Sequence, residues 1–96
     1  MGGDDRVRDN PGLSRYEMDV AGGVAFIRYR RKGNVVTLLH AEVPAALRGR
    51  GLGSRMTRAT LELIRTQGDR VIARCPFVVA YLEGHPEYGD LRADDN

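Results

Sequence analysis

Leu47-Arg48-Gly49-Arg50-Gly51-Leu52-Gly53 is the stretch on which the fold turns, because the hydrophobic period changes across it. Before it, Val35 to Val43 is a dense apolar run closed by Pro44, which has no N–H to give to a strand ladder. After it, Leu52, Met56, Ala59 and Leu63 fall on one helical stripe flanked by Thr60 and Ile64, and Gly68 is placed to end the helix. Leu61 lies opposite that stripe and does not fit it. The segment therefore joins a strand to a helix. The first turn of a helix carries N–H groups without intrahelical partners at the positive end of the aligned peptide dipoles. Glycines at 49, 51 and 53 keep Cβ atoms away from a bulky anion, and Arg48 and Arg50 can add charge-assisted contacts. The spacing predicts a site for a pyrophosphate-like group held mainly by backbone. Gly-x-Gly-x-Gly is not the dinucleotide fingerprint Gly-x-Gly-x-x-Gly, and the chain has no Gly-Lys-Ser/Thr of a Walker loop. Spacing alone also allows a plain strand-to-helix connection.

Toward the N-terminus, Tyr16, Met18 and Val20 alternate with Arg15, Glu17 and Asp19, so Ser14 to Val20 reads as a half-buried strand. Ala21-Gly22-Gly23 turns the chain into Val24 to Arg30, with Ala25, Ile27 and Tyr29 on one face. Phe26 shares the other face with Arg28 and Arg30. Lys32-Gly33-Asn34 is a second turn, and Val35 to Val43 is a third strand expected to be buried on both faces. Beyond the long helix, Val71 to Cys75 reads as a fourth strand returning through a right-handed crossover. Pro76 then opens a short helix with Phe77, Ala80 and Tyr81 at i, i+3, i+4. The expected fold is α/β in the α+β sense. Its sheet is mixed and mainly antiparallel, with one long helix after the third strand and a short one after the fourth. Residues 1–12 read as a loose tail, 13–88 as a single domain and 89–96 as an acidic tail.

The 96 residues make one domain near the small end of what folds unaided. Residues 13–88 hold twelve basic against seven acidic side chains, and fourteen of the chain's fifteen basic residues are Arg, which suits bidentate contact with phosphate. No Lys/Arg block with interleaved aromatics points to nucleic acid. No apolar run approaches the roughly 20 residues of a membrane helix, and the N-terminus lacks a signal-peptide core. One cysteine cannot form an internal disulfide, so a reducing, cytoplasmic setting is expected. Two His and one Cys, widely spaced, make no metal site.

Arg48-x-x-Gly51-x-Gly53 between an apolar strand and an amphipathic helix resembles the coenzyme A pyrophosphate loop of the GNAT superfamily of N-acetyltransferases. Three segments in order are similar to its short branch of about a hundred residues. They are His40-Ala41-Glu42-Val43-Pro44, Leu47 to Gly53, and Cys75-Pro76-Phe77 through Tyr81 to His85-Pro86-Glu87-Tyr88. The resemblance runs from about Tyr16 to Tyr88. It implies a V-shaped opening between the strand ending at Val43 and the one ending at Cys75. The pantetheine arm of acetyl-CoA would pair there with backbone of Leu39, Ala41 and Val43. The amides of Arg48, Gly49, Arg50, Gly51, Leu52 and Gly53 would hold the pyrophosphate, and Tyr81 would lie along the coenzyme. Larger GNAT enzymes have N-terminal helices that cover the acceptor site, whereas residues 1–12 here read as a polar tail, so an open acceptor pocket, or one formed by a partner, is expected.

Acetyl transfer needs a base for the acceptor amine and a proton donor for the leaving thiolate. Cys75, ahead of Pro76 at a helix start and beside Arg74, is a candidate nucleophile or proton shuttle; a small buried strand-end residue is the plainer reading. His40 and Glu42, two apart on one strand face, can form a base and its orienting partner, or an ion pair with Arg28 or Arg30. Tyr81 and Tyr88 could protonate the thiolate, although Tyr81 more simply packs on Phe77. His85 to Tyr88 is expected to pack rather than react. The reading is an acetyl-CoA-dependent N-acetyltransferase without a metal, acting on an unidentified amine of a small molecule or protein. The alternatives are a non-catalytic CoA-binding module and, more weakly, a small basic nucleic-acid binder.

Overall fold

A computed structural model describes residues 6–93 of the chain. Five strands form one sheet in chain order, and two helices and a 3-10 segment cover one face of it. The strands are β1 (Arg8–Asn10), β2 (Arg15–Val20), β3 (Gly23–Lys32), β4 (Val35–Glu42) and β5 (Arg70–Ala73). The helices are α1 (Leu52–Gln67), between β4 and β5, and α2 (Pro76–Gly84), followed by a 3-10 turn at Pro86–Leu91. β1 to β4 are antiparallel, and β5 runs parallel to β4 after the α1 crossover. This is the expected mixed α/β arrangement.

Alternation decides the two faces. Tyr16, Met18, Ala25, Ile27, Val36, Leu38 and Val71 are buried under the helices. The opposite face bears Arg15, Glu17, Phe26, Arg28, Arg30 and Thr37, with no helix over it among the described residues. For that reason the third expected strand is not buried on both faces: Val36 and Leu38 are buried, while Val35, Thr37 and Leu39 are only partly covered. The β3–β4 register also slips at Arg28/Tyr29, where Tyr29 opposes Leu38 but Arg28 opposes His40. Leu39 is thus the extra residue of a β-bulge, and the inward positions of β4 change from 36 and 38 to Ala41.

α1 packs through a stripe rotated from the expected one. Leu52, Met56, Thr57, Thr60, Leu61 and Ile64 are buried, whereas Ala59 and Leu63 are only partly covered. Leu61 is therefore core. Two threonines complete the stripe, and Thr57 hides its hydroxyl by donating to Gly53 O at 2.8 Å. Gly68 ends the helix at φ 78°, its N–H on Arg65 O. Glu62 accepts the Tyr88 hydroxyl at 2.6 Å.

Both expected tails contain ordered structure. Within residues 1–12, Arg8–Asn10 pair with β2, and Asp9 accepts the Tyr29 hydroxyl at 2.6 Å. Within residues 89–96, Leu91 is buried, Ala93 N–H donates to Val71 O at 2.8 Å, and Asp90 takes both Nη atoms of Arg65. The rest of those tails, 1–5 and 94–96, lies outside the described residues.

Candidate functional site

The expected fourth strand, Val71 to Cys75, begins one residue earlier and ends at Ala73. Its ladder with β4 stops at Leu38↔Ala73. There the Leu38 carbonyl accepts two N–H donors, Arg74 at 2.9 Å and Cys75 at 3.0 Å. The chain then turns away into α2, while β4 continues to Glu42. The β5 side of β4 from Leu39 to Glu42 is thus left without a partner strand among the described residues. The bulge at Leu39 lies at the start of this unpaired stretch. An extended chain laid into the split would find strand-spaced backbone donors and acceptors.

At the far end of β4 the chain passes through Pro44 and a 3-10 turn at Ala45–Leu47 into the glycine segment. Arg48 Nε donates to Val43 O at 3.3 Å. The Arg48 side chain therefore folds back to pin the strand end, in addition to any phosphate contact. Gly49 and Gly51 take φ of 82° and 74°, a region costly for any residue with a Cβ. Gly51 is the N-cap of α1, with no side-chain cap and no acid in the first turn. The first intrahelical bond runs from Arg55 N–H to Gly51 O at 3.1 Å. The N–H groups of Leu52, Gly53 and Ser54 consequently point out of the helix start unclaimed by it. Arg50 is exposed beside them.

The two helix starts meet. Phe77, expected on the apolar stripe of α2 with Ala80 and Tyr81, instead lies over Gly53: a Cβ there would sit 3.1 Å from its ring. Ala80 is exposed, and the buried residues of α2 are Val78, Tyr81 and Leu82. A Cβ at 53 would thus press on the Phe77 ring between the helix starts, a second reason beyond access for an anion to favour glycine there. Phe77 is 43% exposed at this junction, and only its placement after Pro76 hinted at a rim position.

Cys75 is the N-cap residue of α2 and belongs to the core, 4% exposed. His40 and Glu42 share the helix-free face, as two-residue spacing implies, with His40 Nε2 and Glu42 Oε1 3.1 Å apart. The bulge separates them from the buried side of β4, so this pair and Cys75 approach the split from different sides. Tyr81 stacks on His85 rather than on Phe77, with ring centroids 3.8 Å apart and planes 10° from parallel. Burial raises the Tyr81 pKa. His85 Nδ1 lies 2.7 Å from Tyr81 O. Burial, and then the bond to Glu62, push the Tyr88 hydroxyl up to about 12. That proton is committed to Glu62, which makes Tyr88 a tie between the 3-10 turn and α1 rather than a proton donor. The cluster fits the packing role expected of His85 to Tyr88.

Among the described residues no three His, Cys, Asp or Glu side chains gather as a metal site, and no helix is long and apolar enough to cross a membrane. A cavity of about 450 Å³ lies along β3, lined in part by Asp9, Ser14, Tyr29, Arg30, Arg31 and Leu39.

The GCN5-related N-acetyl-transferase family model matches residues 15–91, and the chain belongs to that family. Its fold is shared with a GCN5-like protein from Staphylococcus aureus determined by NMR in solution. The TM-score is 0.68 at 23% identity, covering 99% of this chain and 94% of the other. No curated protein matched the chain.

Proposed function

We propose that this protein moves an acetyl group from acetyl-CoA to a primary amine. The observation that carries this is the β4–β5 split, closed at Leu38 O, together with a start of α1 whose Leu52, Gly53 and Ser54 N–H groups the helix leaves unclaimed. In this reading the amides from Arg48 to Gly53 hold the pyrophosphate. Backbone of Leu39, Ala41 and Val43 lines the pantetheine, and Tyr81 walls it on the helix side.

The amine attacks the thioester carbonyl carbon. A C–N bond forms, the C–S bond breaks, and the amine proton leaves to a base. His40, oriented by Glu42, is that base, because the pair stands on the face an acceptor can reach. Cys75 sits at the other side of the split and relays a proton to the departing thiolate. Its burial argues against a prior acetyl-cysteine, since Sγ offers no open approach to a thioester carbon.

The test is thermal stabilisation by acetyl-CoA against CoA, ATP and dinucleotides, followed by transfer to a panel of amines. Saturation at a hundred times the dissociation constant adds about 2.7 kcal/mol to folded-state stability. Cys75→Ala and Glu42→Gln should each lower turnover about tenfold to a hundredfold while leaving that stabilisation intact. No stabilisation by either CoA form at millimolar concentration would end the proposal. Stabilisation without transfer to any amine would leave a CoA-binding module.

A further inference from the structure

The helix-free face of the sheet carries a row of like charges that folding alone does not explain. Arg15 on β2 is the direct cross-strand partner of Arg28 on β3, and Arg28 is the partner of His40 on β4. Side chains directly opposite in an antiparallel pair stand about 5 Å apart at Cβ, and like charges there are destabilising. Arg15 is compensated: Glu17 Oε2 lies 2.6 Å from its Nε, and its guanidinium rests 4.4 Å over the Phe26 ring. Arg28 is not. It is exposed, and among the described residues neither it nor Arg30 forms an ion pair. The remaining acids of this face toward β1 are spent, since Glu17 and Asp19 also take Arg8 at 2.9 and 2.8 Å. From β3 to β5 the face bears Arg28, Arg30, Lys32 and Arg70 against Glu42 alone, and Glu42 holds His40.

We infer that this face binds an acidic polypeptide segment, and that the segment presents the acceptor amine. Naming it as the acceptor rests on the acetyl-transfer reading; the binding itself does not. Three features select a polypeptide over a small anion. The cationic side chains are spread over neighbouring strands, about 5 Å apart across the sheet, rather than converging on one point. The surface is open and unroofed, with half-buried Phe26, Thr37 and Leu39 between the charges, whereas small ligands are held in enclosed pockets. His40 ends the row, so a segment crossing it is delivered to the edge of the split. Carboxylates along such a segment would supply the counter-charge that Arg28 lacks.

The test uses the full chain and a fluorescein-labelled twelve-residue Asp/Glu-rich peptide read by anisotropy, with basic and neutral peptides and single-stranded RNA as comparators. The acidic peptide should bind, and Arg28→Glu with Arg30→Glu should weaken it at least about tenfold. Raising salt from about 0.05 to about 0.5 M should weaken wild-type binding by a similar factor. Stabilisation by acetyl-CoA should not change in the variant, which separates this face from the coenzyme site. Arg28→Gln serves as the second variant: relief of the Arg15 repulsion should hold or raise its Tm while peptide binding falls. Equal binding of all peptides, no acidic-peptide binding, or RNA binding that outcompetes the peptide and is lost in the variant would each overturn the inference. A wild type that binds the peptide but not acetyl-CoA would instead refute the acetyl-transfer reading.

Discussion

Replacing Gly51 by Ala isolates the backbone requirement of the loop from its chemistry. Gly51 has φ 74° and nothing within 4 Å of where a Cβ would stand, so the substitution meets no neighbour. The folded state bears only the cost of placing an L-residue in the left-handed region, about 1–2 kcal/mol. Against this, Ala narrows the unfolded ensemble and returns about 0.4–1 kcal/mol. The net is a loss near 1 kcal/mol, or a Tm about 4–8 °C lower for a domain of this size. Asn tolerates the same conformation better, so Gly51→Asn should recover part of the loss. Gly53→Ala is the internal contrast. Gly53 is helical, so Ala there gains up to about 1 kcal/mol of helix propensity, while its Cβ must push a half-exposed Phe77 ring from 3.1 Å. These offset, and its Tm should stay within a few degrees of wild type. Thermal unfolding followed by circular dichroism reads all three. A Gly51→Ala protein as stable as wild type, or an Asn variant no better than Ala, would refute the assignment of strain to this residue.

Leu61→Ala should cost about 2–4 kcal/mol in urea unfolding, and Leu63→Ala distinctly less, because Leu61 is fully buried and Leu63 only partly covered. Glu17 is 4% exposed yet accepts from Arg15, Asn10 and Arg8. Glu17→Gln should destabilise by about 1–2 kcal/mol, a buried-pair cost reduced because its Arg partners are partly solvated. Its carboxyl is held below the usual range, chiefly by the Arg15 bond, so this contribution is present above the unfolded pKa of about 4 and is lost as pH falls through the lower folded value. Tyr29 and Tyr88 are both pushed up to about 12, first by burial and then by bonds to Asp9 and Glu62. Their contribution is therefore full below about pH 10 and lost as pH rises toward the folded values. Absorbance titration should show both ionising late, and a normal tyrosine titration in the folded protein would contradict the burial assigned to them.

Most of the sheet was legible in the sequence, because period-two alternation in Arg15–Val20 and Gly23–Lys32 already names the buried side. The long helix was legible in extent but not in facing. Leu63 looked like core and Leu61 did not, because Thr57 and Thr60 do not read as apolar: Thr57 hides its hydroxyl on a carbonyl one turn back, while Thr60 Oγ1 is buried without a hydrogen-bond partner among the described residues. β1 was invisible, since Arg8, Asp9 and Asn10 carry no hydrophobic signal and are held by ladder bonds and by partners from β2 and β3. Near the C-terminus the signal is similarly weak: one buried residue, Leu91, and an Arg65–Asp90 pair hold a segment whose composition reads as a tail. At the site, the glycine positions followed from spacing alone. The approach of Phe77 to Gly53 did not, because it joins residues on two helices.

The bulge at Leu39 is the step that turns these parts into a directional site. Without it, strict alternation from Val36 and Leu38 would point His40 and Glu42 inward, beneath α1 and α2, where a charged pair would be costly to bury. One extra residue reverses the parity, so that Ala41 faces the core and the His40–Glu42 pair faces water. The same slip sets His40 beside Arg28, and so ends the cationic row at the edge of the split. In the proposed acetyl transfer, the glycine segment and Cys75 would then serve from the helix-covered side, and the His40–Glu42 pair and the acceptor from the open side, with the thioester between them. A deletion of Leu39 tests this geometry more sharply than any side-chain change. Removing only the extra residue should restore simple alternation while keeping Leu38 opposite Tyr29 and His40 opposite Arg28, so that His40 and Glu42 stay outward and Ala41 inward. A deletion variant whose His40 is withdrawn from solvent by NMR would mean that Leu39 is not the extra residue of the bulge.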